Sequence, residues 1–167
     1  SKSYGLILVS REELLLLRIE VQDFLDSYGA AIDAGDWDKF LACFATDAEY
    51  QIISRENFDQ GFPLATVRCE SRKMLRDRVF GVEETMMYEP RFTRHIISGV
   101  RIDPSEDDLK AIANYCVFET IVDQETKILQ VGRYDANLIQ EESGFVFTKL
   151  HCIFDSVIVP NSLIYPI

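Results

Sequence analysis

The chain has two histidines, His95 and His151, the residue type that changes protonation near neutral pH. Both fall in strand-like runs at odd positions, and so do Glu119 and Asp155. Alternate residues of a strand share a face. Parity therefore leaves room for two histidines and a carboxylate, the donor set of non-haem iron. No ligand spacing supports such a site. A Rieske cluster needs two Cys and two His in paired short motifs, and His151-Cys152 is a lone adjacent pair. A second constellation is acid–base: Asp47, Tyr50, Tyr88 and His95 could line a pocket between helices and sheet. The plainer reading is an Asp cap, packed aromatics and a hydrogen-bonded strand histidine. The four cysteines, at 43, 69, 116 and 152, contain no C-x-x-C pair, so buried reduced thiols in a cytoplasmic protein are expected. The eight glycines fall singly, and no Gly-rich phosphate loop occurs.

These residues must be positioned by the elements around them. Ser10-Arg-Glu-Glu13 has capping-box form. Leu14, Leu17, Val21, Phe24, Leu25, Tyr28 and Ile32 follow at helical spacing, with Gly35 as a left-handed stop. Asp36 caps a short second helix with Trp37, Phe40, Leu41 and Phe44 on its apolar side. Ala48 to Ile53 reads as strand, Ser54 to Phe62 as a polar loop, and Leu64 to Cys69 as strand. A third helix lies between Ser71 and Met87, with Leu75, Val79, Val82 and Met86 inward. Strands then span Arg91 to Asp103, Leu109 to Val122 and Lys127 to Ile139, joined by short turns as an antiparallel meander. On the first of these, Phe92, Ile96, Val100 and Ile102 are expected to meet the core. That facing also buries Arg94, which would need an internal ion pair or a partner from another chain. Gly99 and Gly132, inside strands, suggest bulges.

The last strand, Gly144 to Pro160, is apolar on both faces. Val146, Thr148, Leu150, Cys152, Phe154, Ser156 and Ile158 form the expected core side. Phe145, Phe147, Lys149, His151, Ile153, Asp155, Val157 and Val159 form the other. A strand apolar on both faces is normally covered on both. The second cover is expected to be a partner, with Phe145, Phe147, His151, Ile153, Val157, Val159, Arg94 and Arg133 as interface residues.

Helices first and strands later indicate one α+β domain over 1–167, with residues 1–10 as a loosely ordered N-terminal extension. The net charge of −11, from 28 acidic and 17 basic residues, argues against nucleic acid or anionic membrane as a main partner. No apolar run reaches the length of a membrane span, and Leu6-Ile-Leu-Val9 is too short for a signal peptide.

Asp33-Ala-Gly-Asp-Trp-Asp-Lys-Phe40 and Phe44-Ala-Thr-Asp-Ala-Glu-Tyr50 resemble the opening of the cystatin-like cone shared by nuclear transport factor, ketosteroid isomerase, scytalone dehydratase and polyketide cyclases. Tyr50-Gln-Ile-Ile-Ser-Arg-Glu-Asn57, Glu70 to Val79, Arg91-Phe-Thr-Arg-His-Ile-Ile-Ser-Gly-Val-Arg101, Val131-Gly-Arg-Tyr-Asp135 and Asp155 to Leu163 resemble the small (beta) subunit of aromatic-ring-hydroxylating dioxygenases. The likeness runs from about Val21 to the end, with Gly99 where Asn is more usual. It implies N-terminal helices packed on a strongly curved, mainly antiparallel sheet. It also implies an assembly subunit, itself without cofactor, metal or catalytic residues. The Rieske 2Fe–2S cluster and mononuclear iron would sit on a separate large (alpha) subunit, fed by NAD(P)H through a reductase. The small subunit would trimerise within a three-plus-three hexamer, with Ser54 to Phe62 and the tail after Pro160 as contact points. The alternative is a stand-alone cone-fold dehydratase or isomerase using Asp47, Tyr50, Tyr88 and His95.

Overall fold

The computed structural model describes residues 10–86, 90–104, 108–156 and 166–167. Helix α1, Arg11–Ala34, begins as the sequence dictates: Ser10 Oγ accepts from the Glu13 N–H, and Glu13 returns the bond to the Ser10 N–H at 2.7 Å. Gly35, at φ 66, ends the helix in the left-handed region. Only the second half of α1 is buried, through Val21, Leu25, Tyr28, Ala31 and Ile32. Asp36 caps α2, Trp37–Ala42, by accepting from the Lys39 N–H. Then come β1 (Phe44–Ser54), α3 (Arg55–Asp59), β2 (Val67–Cys69) and α4 (Arg72–Met86). The segment expected to be loop from Ser54 therefore opens with a helical turn, capped by the Ser54 hydroxyl. Strands β3 (Arg91–Asp103), β4 (Leu109–Ile121), β5 (Lys127–Glu141) and β6 (Gly144–Phe154) complete the chain's regular structure.

The strands form one sheet in the order β2-β1-β6-β5-β4-β3. The β1–β6 pair is parallel and the other pairs are antiparallel. Helices α1, α2 and α4 cover one face, giving the expected α+β architecture. Among the described residues no helix is long and apolar enough to cross a membrane.

Three bulges bend the meander and reset which residues face inward. One, in β3, includes Gly99 at φ 67. Gly132 serves a different purpose from the bulge the sequence suggests. A Cβ there would lie 2.1 Å from the Ile153 carbonyl oxygen, so the neighbouring strand leaves no room for one. The third bulge is in β6. Leu138 pairs with Phe147 and Asn137 with Lys149, leaving Thr148 as the extra residue. Its hydroxyl bonds to Asp108 Oδ2 at 3.1 Å and to the Asn137 carbonyl at 3.3 Å. The strand's facing changes across it. Leu150, Cys152 and Phe154 point into the core as expected, but before the bulge Phe147 and Phe145 do so as well. Phe147 is fully buried and touches Phe24, Tyr28 and Phe44 at ring separations of 4.8, 5.3 and 5.2 Å. Residues 157–160 lie outside the described residues, and β6 ends at Phe154.

A similar correction applies to β3. Arg91, Thr93, His95 and Ile97 face inward, whereas Phe92, Arg94 and Ile96 face out. Hydrophobicity misleads here because the inward row carries polar groups with partners and the outward row is apolar. The guanidinium inside is that of Arg91, paired with Glu119 at 2.8 Å, their side chains only 3% and 12% exposed. The sheet's back is partly covered by the chain itself: Ile53 and Ile153 are buried, and α3 packs across β1 and β6. Phe58 of α3 meets the His151 ring edge-on at 6.2 Å, and the Arg133 guanidinium lies 5.6 Å from the Phe58 ring centre.

If Phe147 is the keystone of the aromatic core, Phe147→Ala will lower unfolding free energy by about 3–5 kcal/mol in urea titrations. A surface role would make the loss about 0.5 kcal/mol or less.

Candidate functional site

The buried titratable groups gather where α1 crosses β3. Gly29 lets the two elements meet: a Cβ there would come within 3.0 Å of His95 Cβ. One helical turn on, Asp33 reaches the same strand. Its Oδ1 accepts from His95 Nδ1 at 2.6 Å and from Thr93 Oγ1 at 3.0 Å. Its Oδ2 accepts from the His95 backbone N–H at 2.8 Å. Burial opposes ionisation of Asp33, but hydrogen bonds from His95 and Thr93 outweigh it and hold its pKa below the usual carboxylate value. The bond to Asp33 sets the neutral ring as the Nδ1–H tautomer and leaves Nε2 an acceptor. Nε2 is buried and without a partner among the described residues. A cleft of about 410 Å³ opens beside the pair between α1 and β3, bordered by Asp26, Asp33, Arg94 and His95.

Deeper inside, the polar groups are tyrosines. Tyr115 stacks on Tyr134 at 4.5 Å and donates to Gln130 Oε1 at 2.7 Å. Tyr28 and Cys152 both donate to the carbonyl oxygen of Ile167, and the Ile167 N–H donates to Tyr50 Oη at 2.9 Å. Burial raises the pKa of Tyr28, Tyr50, Tyr134 and Cys152, so all four are neutral at ordinary pH.

The sequence-derived sites separate. Odd residues face inward on β3 and β4 but outward on β5 and on β6 beyond Thr148. His95 is therefore inside, whereas His151 is on the back of the sheet, bonded through Nε2 to Glu49 at 2.6 Å. Glu119 is held by Arg91. Among the described residues no group of three or more His, Cys, Asp or Glu side chains converges. Of the acid–base set, Asp47 is exposed, Tyr50 is engaged with Ile167, and Tyr88 lies outside the described residues. Of the interface set, Phe145 and Phe147 point to the core and Ile153 is fully buried. Arg94 is exposed on the back, Arg133 sits between Phe58 and Asp59, and Val157 and Val159 lie outside the described residues. Asp33 was missed as a functional residue. Its signal was available: an acid four residues after a helical glycine, on the buried side of α1, implies a polar partner across a close contact.

A mixed sheet closed over by N-terminal helices, with a tyrosine-lined interior, defines the cone class of α+β proteins. The SnoaL-like domain family matches residues 13–151. A beta subunit assigned to an aromatic-ring-hydroxylating dioxygenase of Novosphingobium aromaticivorans superposes with a TM-score of 0.82 at 32% identity, over 92% of this chain and 98% of that one. The small subunit of anthranilate 1,2-dioxygenase from Burkholderia cepacia is 29% identical over 149 residues, 89% of this chain and 92% of the relative. The beta 2 subunit of the terephthalate 1,2-dioxygenase terminal oxygenase component from Comamonas sp is 23% identical over 155 residues, 92% of this chain and 100% of the relative. The chain belongs to the SnoaL-like family and, within it, to the small subunits of aromatic-ring-hydroxylating dioxygenases.

The Asp33 clamp has a pH signature. Its folded pKa is lowered, so its stabilisation is complete above the unfolded carboxyl value of about 3.9 and is lost as pH falls through the folded value. Asp33→Asn will flatten that acid limb in urea melts taken between about pH 3 and 6. An unchanged acid limb would show that the clamp contributes nothing.

Proposed function

We propose that this chain is the assembly subunit of an oxygenase complex that acts on an aromatic compound, with the chemistry on a separate large subunit. The observation that carries this reading is the apolar band on the back of the sheet. Across β3, β4 and β5 the register aligns Arg94 with Phe118 and Ile128, and Ile96 with Cys116 and Val131. Phe92, Ile96, Ile128 and Val131 are 67%, 51%, 62% and 41% exposed. A contiguous apolar face on a chain of net charge −11 suits burial against other subunits. Arg94, exposed on the edge strand β3 and without an ion-pair partner among the described residues, adds a cation at the margin of the band for a carboxylate across the joint.

In this reading the band joins copies of this chain into a trimer beneath three large subunits. His151, Arg133 and α3 lie further along the same face, towards the large subunit. The large subunit carries the Rieske cluster and mononuclear iron, which receive electrons from NAD(P)H through a reductase and add oxygen from dioxygen to the ring. The names of the relatives, anthranilate and terephthalate dioxygenases, favour an aromatic acid as substrate. The complex is assigned to the cytoplasm.

Val131→Asp will shift the isolated chain from trimer to monomer on a sizing column while changing unfolding free energy by about 0.5 kcal/mol or less. An unaltered elution position removes the band as the joint. Elemental analysis of the isolated chain will show no stoichiometric iron, and co-expression with a large subunit bearing paired Cys-x-His and Cys-x-x-His motifs will yield one co-eluting complex. Stoichiometric iron in the chain alone refutes the assembly reading.

A further inference from the structure

On the back of the sheet, away from the helices, the surface changes character with distance from the apolar band. Beyond it, one cross-strand row reads Arg101, Ile112, Asp135 and His151. The next reads Lys110, Asn137, Lys149 and Glu49. A cleft of about 420 Å³ opens across these rows, bordered by Arg101, Asp103, Lys110, Ile112, Asp135 and Lys149. Three cations from β3, β4 and β6 thus meet two carboxylates, on a chain whose net charge is −11. Asp135 engages Lys149 at 3.5 Å. Arg101 is exposed and has no ion-pair partner among the described residues. An unengaged guanidinium offers two parallel N–H donors that match a carboxylate.

The same place holds an unmatched acceptor. Asn137 stands directly between Lys110 and Lys149 in the register, and its Oδ1 is buried with no partner among the described residues. A buried carbonyl oxygen without a donor is destabilising, so an N–H or O–H from outside the chain would relieve it. The backbone is also irregular here. Two of the sheet's three bulges lie at this end, one between Ser98 and Arg101 and one between Asn137 and Leu138. Bulges re-aim side chains and are frequent beside sites. Ile112, 37% exposed, supplies an apolar wall. The volume is that of a small-molecule site.

We propose that this cleft on the back of the sheet binds a small organic carboxylate that also bears a hydroxyl or amino group. The carboxylate pairs with Arg101 and lies in the field of Lys110 and Lys149. The hydroxyl or amino hydrogen goes to Asn137 Oδ1, and the apolar body rests on Ile112. Asp103 and Asp135 in the same cleft make a second negative charge unfavourable, which selects a monoanion over a dianion such as phosphate.

The test is calorimetry on the whole isolated chain, with benzoate, 3-hydroxybenzoate, 4-hydroxybenzoate and inorganic phosphate as probes. At least one hydroxybenzoate will bind about fivefold more tightly than benzoate, and phosphate will bind more weakly than either. Arg101→Ala, a change at an exposed and unpaired side chain, will weaken that hydroxybenzoate about tenfold. Asn137→Ala will remove its advantage over benzoate. No binding of any carboxylate, equal affinity for phosphate, no gain from the hydroxyl, or an unchanged affinity in Arg101→Ala overturns the proposal. Should Asn137→Ala fail to fold, Arg101→Ala and the comparison of benzoate with the hydroxybenzoates decide. The cleft lies outside the apolar band and no large subunit enters the measurement. A negative result therefore leaves the assembly role standing, and loss of that role leaves the cleft.

Discussion

Side chains alternate across a strand with a period of two, so a single inserted residue exchanges every position beyond it between the two faces. In β6 that residue is Thr148, held by bonds to Asp108 and to the Asn137 carbonyl. Its insertion lets Phe147 join Phe44 and Tyr28 while Leu150, Cys152 and Phe154 stay inside. Without it, either the phenylalanines or the Leu–Cys–Phe set would be forced out of the core. Phe147 contacts rings from both α1 and β1. The packing of the first helix and the first strand on the last strand thus depends on one bulge.

The same device explains where sequence reading succeeds and where it stops. Caps are local, so Ser10, Gly35 and Asp36 delimit their helices as their residue types predict. Helical periodicity on α4 is also local, and Leu75, Val79 and Val82 are buried as spaced. Strand facing is not local. On β3 the apolar residues Phe92 and Ile96 point out because Thr93 and His95 find a carboxylate, Asp33, sixty or so residues earlier in the chain. A polar residue reads as surface until its partner is known. The apolar character of both faces of β6 was legible, but what covers each face was not. Part of the cover, α3, lies in a segment whose composition reads as loop.

That cover divides the back of the sheet in two. Over β1 and β6, α3 shields Ile53 and Ile153 and places Phe58 between His151 and Arg133. Over β3, β4 and β5 nothing among the described elements shields Ile96, Ile128 and Val131. The described elements thus shield one half of the back and leave an apolar layer exposed on the other. An open apolar layer is costly for a lone monomer and useful for a subunit.

In the interior, too, polar side chains are held by contacts between separate elements. Catalysis in a cone needs reactive groups that face an accessible space, held near the pKa their task requires. Here burial raises the tyrosine and cysteine pKa values and keeps those groups neutral, while Asp33 has both oxygens committed to β3. A carboxylate bonded through both oxygens clamps α1 to the sheet and fixes the His95 ring. The arrangement therefore gives the joint between α1 and β3 its rigidity.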